Sequence, residues 1–184
     1  MGKTLVINLN DVVLKGDVLD VGERNLGIIY NISKEAYNEI SIDYVDDSRK
    51  GYLKEHKYDA CTFFFELSSM WTNFEKERII GRMTRLLKEE GEILIWDINK
   101  QRGKVINNKV KVIMPNHDIK EFNFRNHNVF GCNDIEDIKK ILAKNFKIEE
   151  TKAWEDVFFI RARKIQTVLK KEDNKLYENI TYSY

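Results

Sequence analysis

The run YDACTFFFEL, residues 58–67, constrains the fold more than any other stretch of the chain. It is too continuously apolar for a sheet with one wet face, so a strand built from it must be covered on both sides. Thr72 and Glu75 then stand at capping-box spacing, and Phe74, Ile79, Met83, Leu86 and Leu87 supply the buried stripe of a helix that should end at Gly91. EILIWDI, residues 92–98, reads as a second buried strand. Strand, helix and strand in this order predict a right-handed crossover and parallel pairing.

The same unit is written upstream. DVLDVG, residues 17–22, is a short apolar run ending in glycine; Ile28, Ile29, Ile32 and Ala36 share a helical face; and ISIDY, residues 40–44, is a further strand. Downstream, residues 101–130 differ. KVINNKVKVIM and EFNFRNHNVF, on either side of the single proline Pro115, predict short alternating strands or a loop excursion, treated as an insertion. Asn133 and Glu136 are placed to cap a helix with Ile135, Ile138, Leu142 and Phe146 on one face, and FKIEETKAW with DVFFIRARK predicts a terminal hairpin. The expected architecture is therefore α/β: a doubly wound, Rossmann-like, mostly parallel sheet with a C-terminal antiparallel hairpin. Its boundaries are one domain over residues 1–165, with a polar tail over 166–184.

Composition narrows the function. A chain of 184 residues with 42% hydrophobic and 33% charged residues has the balance of one folded domain. Its net charge of +1 provides no general field toward nucleic acid or anionic lipid. No run of eighteen apolar residues supports a membrane span, and the opening MGKTLVINLNDVVLK does not read as a signal peptide, so the expected compartment is the cytoplasm. Cys61 and Cys132 are far apart and form neither a disulfide framework nor a metal cluster. His56, His117 and His127 lie in polar stretches without a visible carboxylate partner and read as surface residues. Trp71, Trp96, Trp154 and Phe63 to Phe65 read mostly as core.

The stretch VLDVGERNLG followed by ISIDYVDD carries the functional signal. In an open α/β sheet a ligand lies beyond the carboxyl ends of the strands, and a glycine after the first strand, here Gly22, lets backbone approach it closely. An acidic residue about 20 positions further on can accept from both hydroxyls of a ribose. Asp43 has that spacing; the plainer alternative is a strand-end carboxylate that caps the following turn.

These residues resemble the first two motifs of the class I S-adenosylmethionine-dependent methyltransferases, and the resemblance runs over roughly residues 12–165. It implies S-adenosyl-L-methionine as cofactor, with Asp20 and Gly22 against its methionine part, Asp43 on the ribose and Tyr44 near the adenine. Arg24 and Gly27 would belong to the cofactor turn, and Phe64, Phe65 and Glu66 would pass beneath the sulfonium. The terminal hairpin also matches this family, whereas a nicotinamide-binding Rossmann domain should end in a parallel strand. Two departures stand out. The family's G-x-G-x-G turn reads here as Gly22, Glu23, Arg24, Asn25, Leu26, Gly27, with only the first glycine in register. The interval from Asp43 to Tyr58 is also too short for the usual next helix and third strand, so that strand should be missing or shortened and the second strand an exposed edge. Arg49 or Tyr52 would then be the residues available to cover an adenine.

Two readings follow. One is a methyltransferase for a small-molecule acceptor; the other is a degenerate methyltransferase-like domain that binds a partner or metabolite without turnover. A lid, an extension of the sheet and a homodimer contact all fit the position of the insertion.

Overall fold

The computed structural model describes residues 2–22, 27–34, 40–45 and 54–166. In chain order its elements are β1 (Thr4–Asn8), β2 (Asp17–Val21), α1 (Ile28–Lys34), β3 (Ser41–Val45), β4 (Tyr58–Phe64), α2 (Asn73–Leu86), β5 (Leu87–Ile98), β6 (Ile106–Ile113), β7 (Ile119–Asn126), α3 (Ile135–Leu142), β8 (Phe146–Trp154) and β9 (Val157–Lys164). The main sheet has the order β3–β2–β4–β5–β9–β8. Its first four strands are parallel, and β9 runs antiparallel to both β5 and β8, as the expected hairpin requires. Among the described residues no third strand stands beyond β3, which is the outer strand on that side.

Side chains alternate across a strand, so the two faces of this sheet bury different residues. Leu19, Cys61, Phe63, Ile93, Ile95 and Ile160 point to one face, where Ile79, Ile80 and Met83 of α2 and Ile138 and Leu142 of α3 cover them. Thr72 caps α2 by accepting from Glu75 N–H while the Glu75 carboxylate accepts from Thr72 N–H, so the expected capping box forms. Val18, Ala60, Leu94, Trp96 and Phe159 point to the opposite face. There α1 contributes Ile28, Ile29 and Ile32, and a second sheet of order β1–β6–β7 contributes Leu5, Ile7, Val110, Val112 and Phe124. The insertion is thus an antiparallel hairpin, β6–β7, with β1 added in parallel to β6. It neither extends the main sheet nor stands apart from it; it packs as a layer on the second face.

Several expectations are corrected. α2 stops at Leu86, and Gly91 lies inside β5, where a register irregularity between the Tyr58–Leu87 and Ala60–Glu92 pairs accommodates extra residues, with Glu90 at φ +61°. Phe74 is not in the buried stripe: on the first turn of α2 it is 75% exposed. The cap of α3 is Asp134, whose carboxylate accepts from Glu136 N–H, while Asn133 is buried and bonded elsewhere. His56 does have an acidic neighbour, Glu89, 3.9 Å from its Nδ1. Trp71 is exposed, whereas Trp96 is buried. Both cysteines are free. The tail from 167 onward lies outside the described residues.

Candidate functional site

Strand order locates the site. From β2 the chain moves outward to β3 and then returns past β2 to build β4, so the direction of winding reverses between β2 and β4. Crevices at such reversals, beyond the carboxyl ends of the strands, are where open α/β sheets hold ligands. Here the two strand exits are Gly22 and the Phe64, Phe65, Glu66 segment, with Val21 level with Phe63 across the strands. Gly22 N–H donates to Val45 C=O at 3.0 Å, which holds the end of β2 against the end of β3. A Cβ at position 22 would lie 3.0 Å from Glu66 Oε2, so the glycine allows that carboxylate to lean over the backbone at the mouth of the crevice.

The β4 exit is bent to deliver Glu66 there. Phe65 adopts φ +56°, a left-handed conformation that costs a residue with a Cβ about 1–2 kcal/mol. Three contacts retain it: its N–H donates to Trp96 C=O at 2.8 Å, and its ring packs on Phe124 at 4.8 Å and on Phe122 at 6.0 Å. The last two belong to β7, so the second sheet holds the turn that presents Glu66. A 3-10 turn, Leu67–Ser69, follows immediately.

Asp20 and Asp43 diverge. Asp20 is level with Tyr44 and Thr62, and Asp43 is level with Leu19, so alternation sends the two carboxylates to opposite faces of the sheet. Asp20 lies on the second-sheet side and accepts from Thr62 Oγ1 at 2.7 Å. Burial raises its carboxyl to about 6, against the lowering effect of the threonine bond. Asp43 reaches the strand position expected of it, yet its carboxylate accepts from Lys57 Nζ at 2.5 Å and from Tyr58 OH at 2.6 Å. Those bonds hold its pKa below the usual carboxylate range, the lysine bond first. Both donors sit at the amino-terminal entry of β4, before Cys61, the residue level with Asp43 through Leu19. The carboxylate is therefore drawn toward the end of the sheet away from Gly22, and the meeting of residues 22 and 43 in one crevice is not what the described contacts show.

Of the other expected residues, Gly27 takes φ +62° just before α1, with its carbonyl accepting from Asn31 N–H at 3.1 Å. Tyr44 is half-buried on the same side as Asp20. Arg24, Arg49 and Tyr52 lie outside the described residues.

A second polar cluster, missed from the sequence, closes the neighbouring end of β5. Asp97 is fully buried and accepts from Ser68 N–H at 3.0 Å and from Ile98 N–H at 2.8 Å; burial raises it to about 6 as well. Lys76, from the first turns of α2, is also fully buried and donates to Cys132 C=O at 2.5 Å and Asn133 Oδ1 at 2.9 Å. Desolvation lowers its pKa and the Asp97 charge opposes that. Lys100 donates to Gly131 C=O at 2.6 Å and to Asn128 C=O. Together these groups fix the loop from β7 to α3 against the β5 exit. Their only sequence signal was a set of charged residues at helical or strand-end positions, which ordinarily face water. Beyond this cluster, a cavity of about 740 Å³ runs between the β5 exit and the second sheet, lined in part by Lys3, Asn99, Lys104 and Asn108. Among the described residues, no group of three or more His, Cys, Asp or Glu side chains is arranged to hold a metal ion.

Comparison with known proteins agrees with this geometry at the level of fold. No protein-family model matches the chain, and no curated protein matches it in sequence. Solved structures do. A S-adenosylmethionine-dependent methyltransferase of Methanosarcina mazei matches with a TM-score of 0.52 at 13% identity, covering 86% of this chain and 97% of that one. A protein of Pyrococcus horikoshii matches with a TM-score of 0.52 at 13% identity, over 85% of this chain and 86% of that one. A S-adenosylmethionine-dependent methyltransferase of Mesorhizobium loti matches with a TM-score of 0.51 at 9% identity, over 80% and 90%.

Proposed function

We propose that this chain, which has the class I methyltransferase fold, binds S-adenosyl-L-methionine at the exits of β2 and β4 and transfers its methyl group to a small-molecule acceptor. One observation carries the reading: at the winding reversal, the glycine bend at Gly22 lies beneath the Glu66 carboxylate, with Asp20 two residues back on β2. The residues present suit the donor. A ligand bearing an ammonium group and a sulfonium centre favours a site that carries carboxylates, and Asp20 and Glu66 are such groups.

In this reading Glu66 and Asp20 hold the ammonium of the methionine part, and Gly22 gives backbone access to it. Tyr44 flanks the adenine side, with Gly27 and Arg24 in the intervening turn. The bound donor supplies an electrophilic methyl carbon. In the transfer the carbon–sulfur bond breaks as the bond to the acceptor heteroatom forms; the electron pair stays on sulfur, leaving a neutral thioether, and the acceptor loses a proton. Positioning in line and exclusion of water contribute most of the acceleration in such a step. Phe64 and Phe65 supply the water-excluding wall. Asp43 is assigned to locking β3 on β4 through Lys57 and Tyr58.

Titration calorimetry with S-adenosylmethionine and S-adenosylhomocysteine tests this. The expected result is micromolar binding, weakened at least tenfold by Glu66→Ala and changed less than threefold by Asp43→Ala. The engaged state of Asp43 favours a second reading, in which the fold binds a partner or metabolite without turnover. Absence of binding at millimolar concentrations of both ligands decides for that reading.

A further inference from the structure

We infer that the cavity between the β5 exit and the second sheet binds a small hydroxylated carboxylate, received by the carboxamides of Asn99 and Asn108 and by the Lys104 ammonium. This site shares no residue with the proposed methyl-donor site. One residue of β6 breaks the pattern of its neighbours. The inward positions of that strand are Ile106, Asn108, Val110 and Val112, and the three aliphatic ones join the apolar layer between the sheets. Asn108 stands among them at 9% exposure. Burying a carboxamide there is costly unless each of its polar atoms finds a partner.

Only one end of the Asn108 amide is satisfied. Its Oδ1 accepts from Lys3 N–H at 3.1 Å, and a backbone donor fixes which end is oxygen. Its Nδ2 has no acceptor among the described residues and is not sealed from solvent, so it opens into the cavity that the residue lines. Asn99, just past β5, repeats the arrangement: Oδ1 accepts from Ile135 N–H at 3.1 Å, and Nδ2 has no acceptor among the described residues. One chain of bonds braces the two amides against each other. Lys3 Nζ donates to Asp156 Oδ2 at 2.7 Å, and Asn99 N–H donates to Asp156 C=O at 2.7 Å, so residues 3 and 156 tie Asn108 to Asn99.

The amide oxygens are engaged and the amide nitrogens are not, so the cavity presents donors to a ligand that must accept. Charge narrows that ligand. Of the lysines lining the cavity, Lys3 pairs with Asp156 and Lys100 turns to the carbonyls of Asn128 and Gly131, whereas the exposed Lys104 has no ion pair among the described residues. The neighbouring Arg102 lies outside the lining. One free ammonium beside neutral amide donors matches a monoanion. Asp134 and Asp156 also line the cavity and disfavour a second negative charge, which ranks a carboxylate above a phosphate monoester. A volume of about 740 Å³ leaves room for a body beside that group, and the exposed carboxamides of Gln101 and Asn107, each both donor and acceptor, suit hydroxyls on it.

The test uses the full chain and three probes built on a polyol body: gluconate with a carboxylate end, sorbitol with no charge and sorbitol 6-phosphate with a dianionic end, each titrated by calorimetry. Expected is saturable gluconate binding, weaker sorbitol 6-phosphate binding and no measurable sorbitol binding. Asn99→Asp keeps an acceptor for Ile135 N–H and sets its charge at the α3 N-terminus, where a carboxylate is favourable, but it removes the donor and repels the probe. It should lower gluconate affinity at least tenfold, and Lys104→Gln, at an exposed position, at least threefold. Thermal midpoints without probe should match the wild type in both variants, while the rise that gluconate gives the wild type should shrink in both. Absence of gluconate binding by the wild-type chain at tens of millimolar, or equal affinity in both variants, overturns the inference. Equal binding of sorbitol overturns the choice of an anion, and tighter binding of sorbitol 6-phosphate overturns the choice of a carboxylate.

Discussion

The carboxyl edge of the main sheet has two halves, built from the same kinds of residue to opposite ends. At the β5 half, Asp97 accepts two backbone N–H groups, the Lys76 charge stands nearby, and Lys76 and Lys100 satisfy the carbonyls of the loop that crosses it. At the β2 and β4 half, Asp20 accepts one hydroxyl and shares the region with Glu66. Both aspartates are raised to about 6 by burial, so the local penalty on the charged form is similar. What differs is the company. A buried carboxylate matched by donors is scaffold, and one matched by little is a group awaiting a partner.

The largest effect should come from removing the buried cation. Lys76→Met leaves Cys132 C=O and Asn133 Oδ1 without a donor and Asp97 without its nearest opposing charge, and should cost about 3–5 kcal/mol of unfolding free energy in urea titration at pH 7.5. Asp97→Asn should cost about 1–3 kcal/mol, since an amide turns one donor toward two backbone N–H groups that each require an acceptor.

Asp20→Asn should act in the opposite direction and more weakly. The amide oxygen still accepts from Thr62, and the ionisation penalty is gone. Because the folded pKa, about 6, exceeds the ordinary 3.8, the unfolded chain releases this proton first, so Asp20 makes stability fall as pH rises from about 4 to about 6. The variant should lack that component and gain about 1 kcal/mol at pH 7.5 while losing affinity for S-adenosylhomocysteine. Equal destabilisation by Asp20→Asn and Asp97→Asn would erase the distinction between the two halves.

How much of this was legible follows from how far apart the interacting residues lie. The helix-covered face was readable because its signals are local: the continuous apolar run of β4, the Thr72 and Glu75 box, and the helical spacing of Ile79 and Met83. The hairpin was readable for the same reason, with FKIEETKAW matching β8 residue for residue. The second sheet was not, because the partner of Thr4 is Lys109 and no spacing within either segment announces the other. At the candidate site, the positions of Gly22 at the end of β2 and of Glu66 just past β4 were legible as strand ends, and the short interval from Asp43 to Tyr58 agrees with β3 being the outer strand among the described residues. The destination of Asp43 was not, since its position on β3 is set by the strand and its orientation by Lys57 and Tyr58, which no motif marks. Gly91 misled through a real preference, glycine after a helix, overridden here by the bulge in β5.

The parallel pairing of β1 with β6 sets a timetable for biosynthesis. β1 is made long before its partner, and the register that satisfies its backbone, from Thr4–Lys109 to Asn8–Ile113, exists only after more than a hundred further residues have been translated. Until then Leu5 and Ile7 have no lasting cover, although both end fully buried. The nascent chain must carry this sticky segment through the synthesis of β2, β4 and β5, so β1 can dock only after those central strands of the main sheet exist.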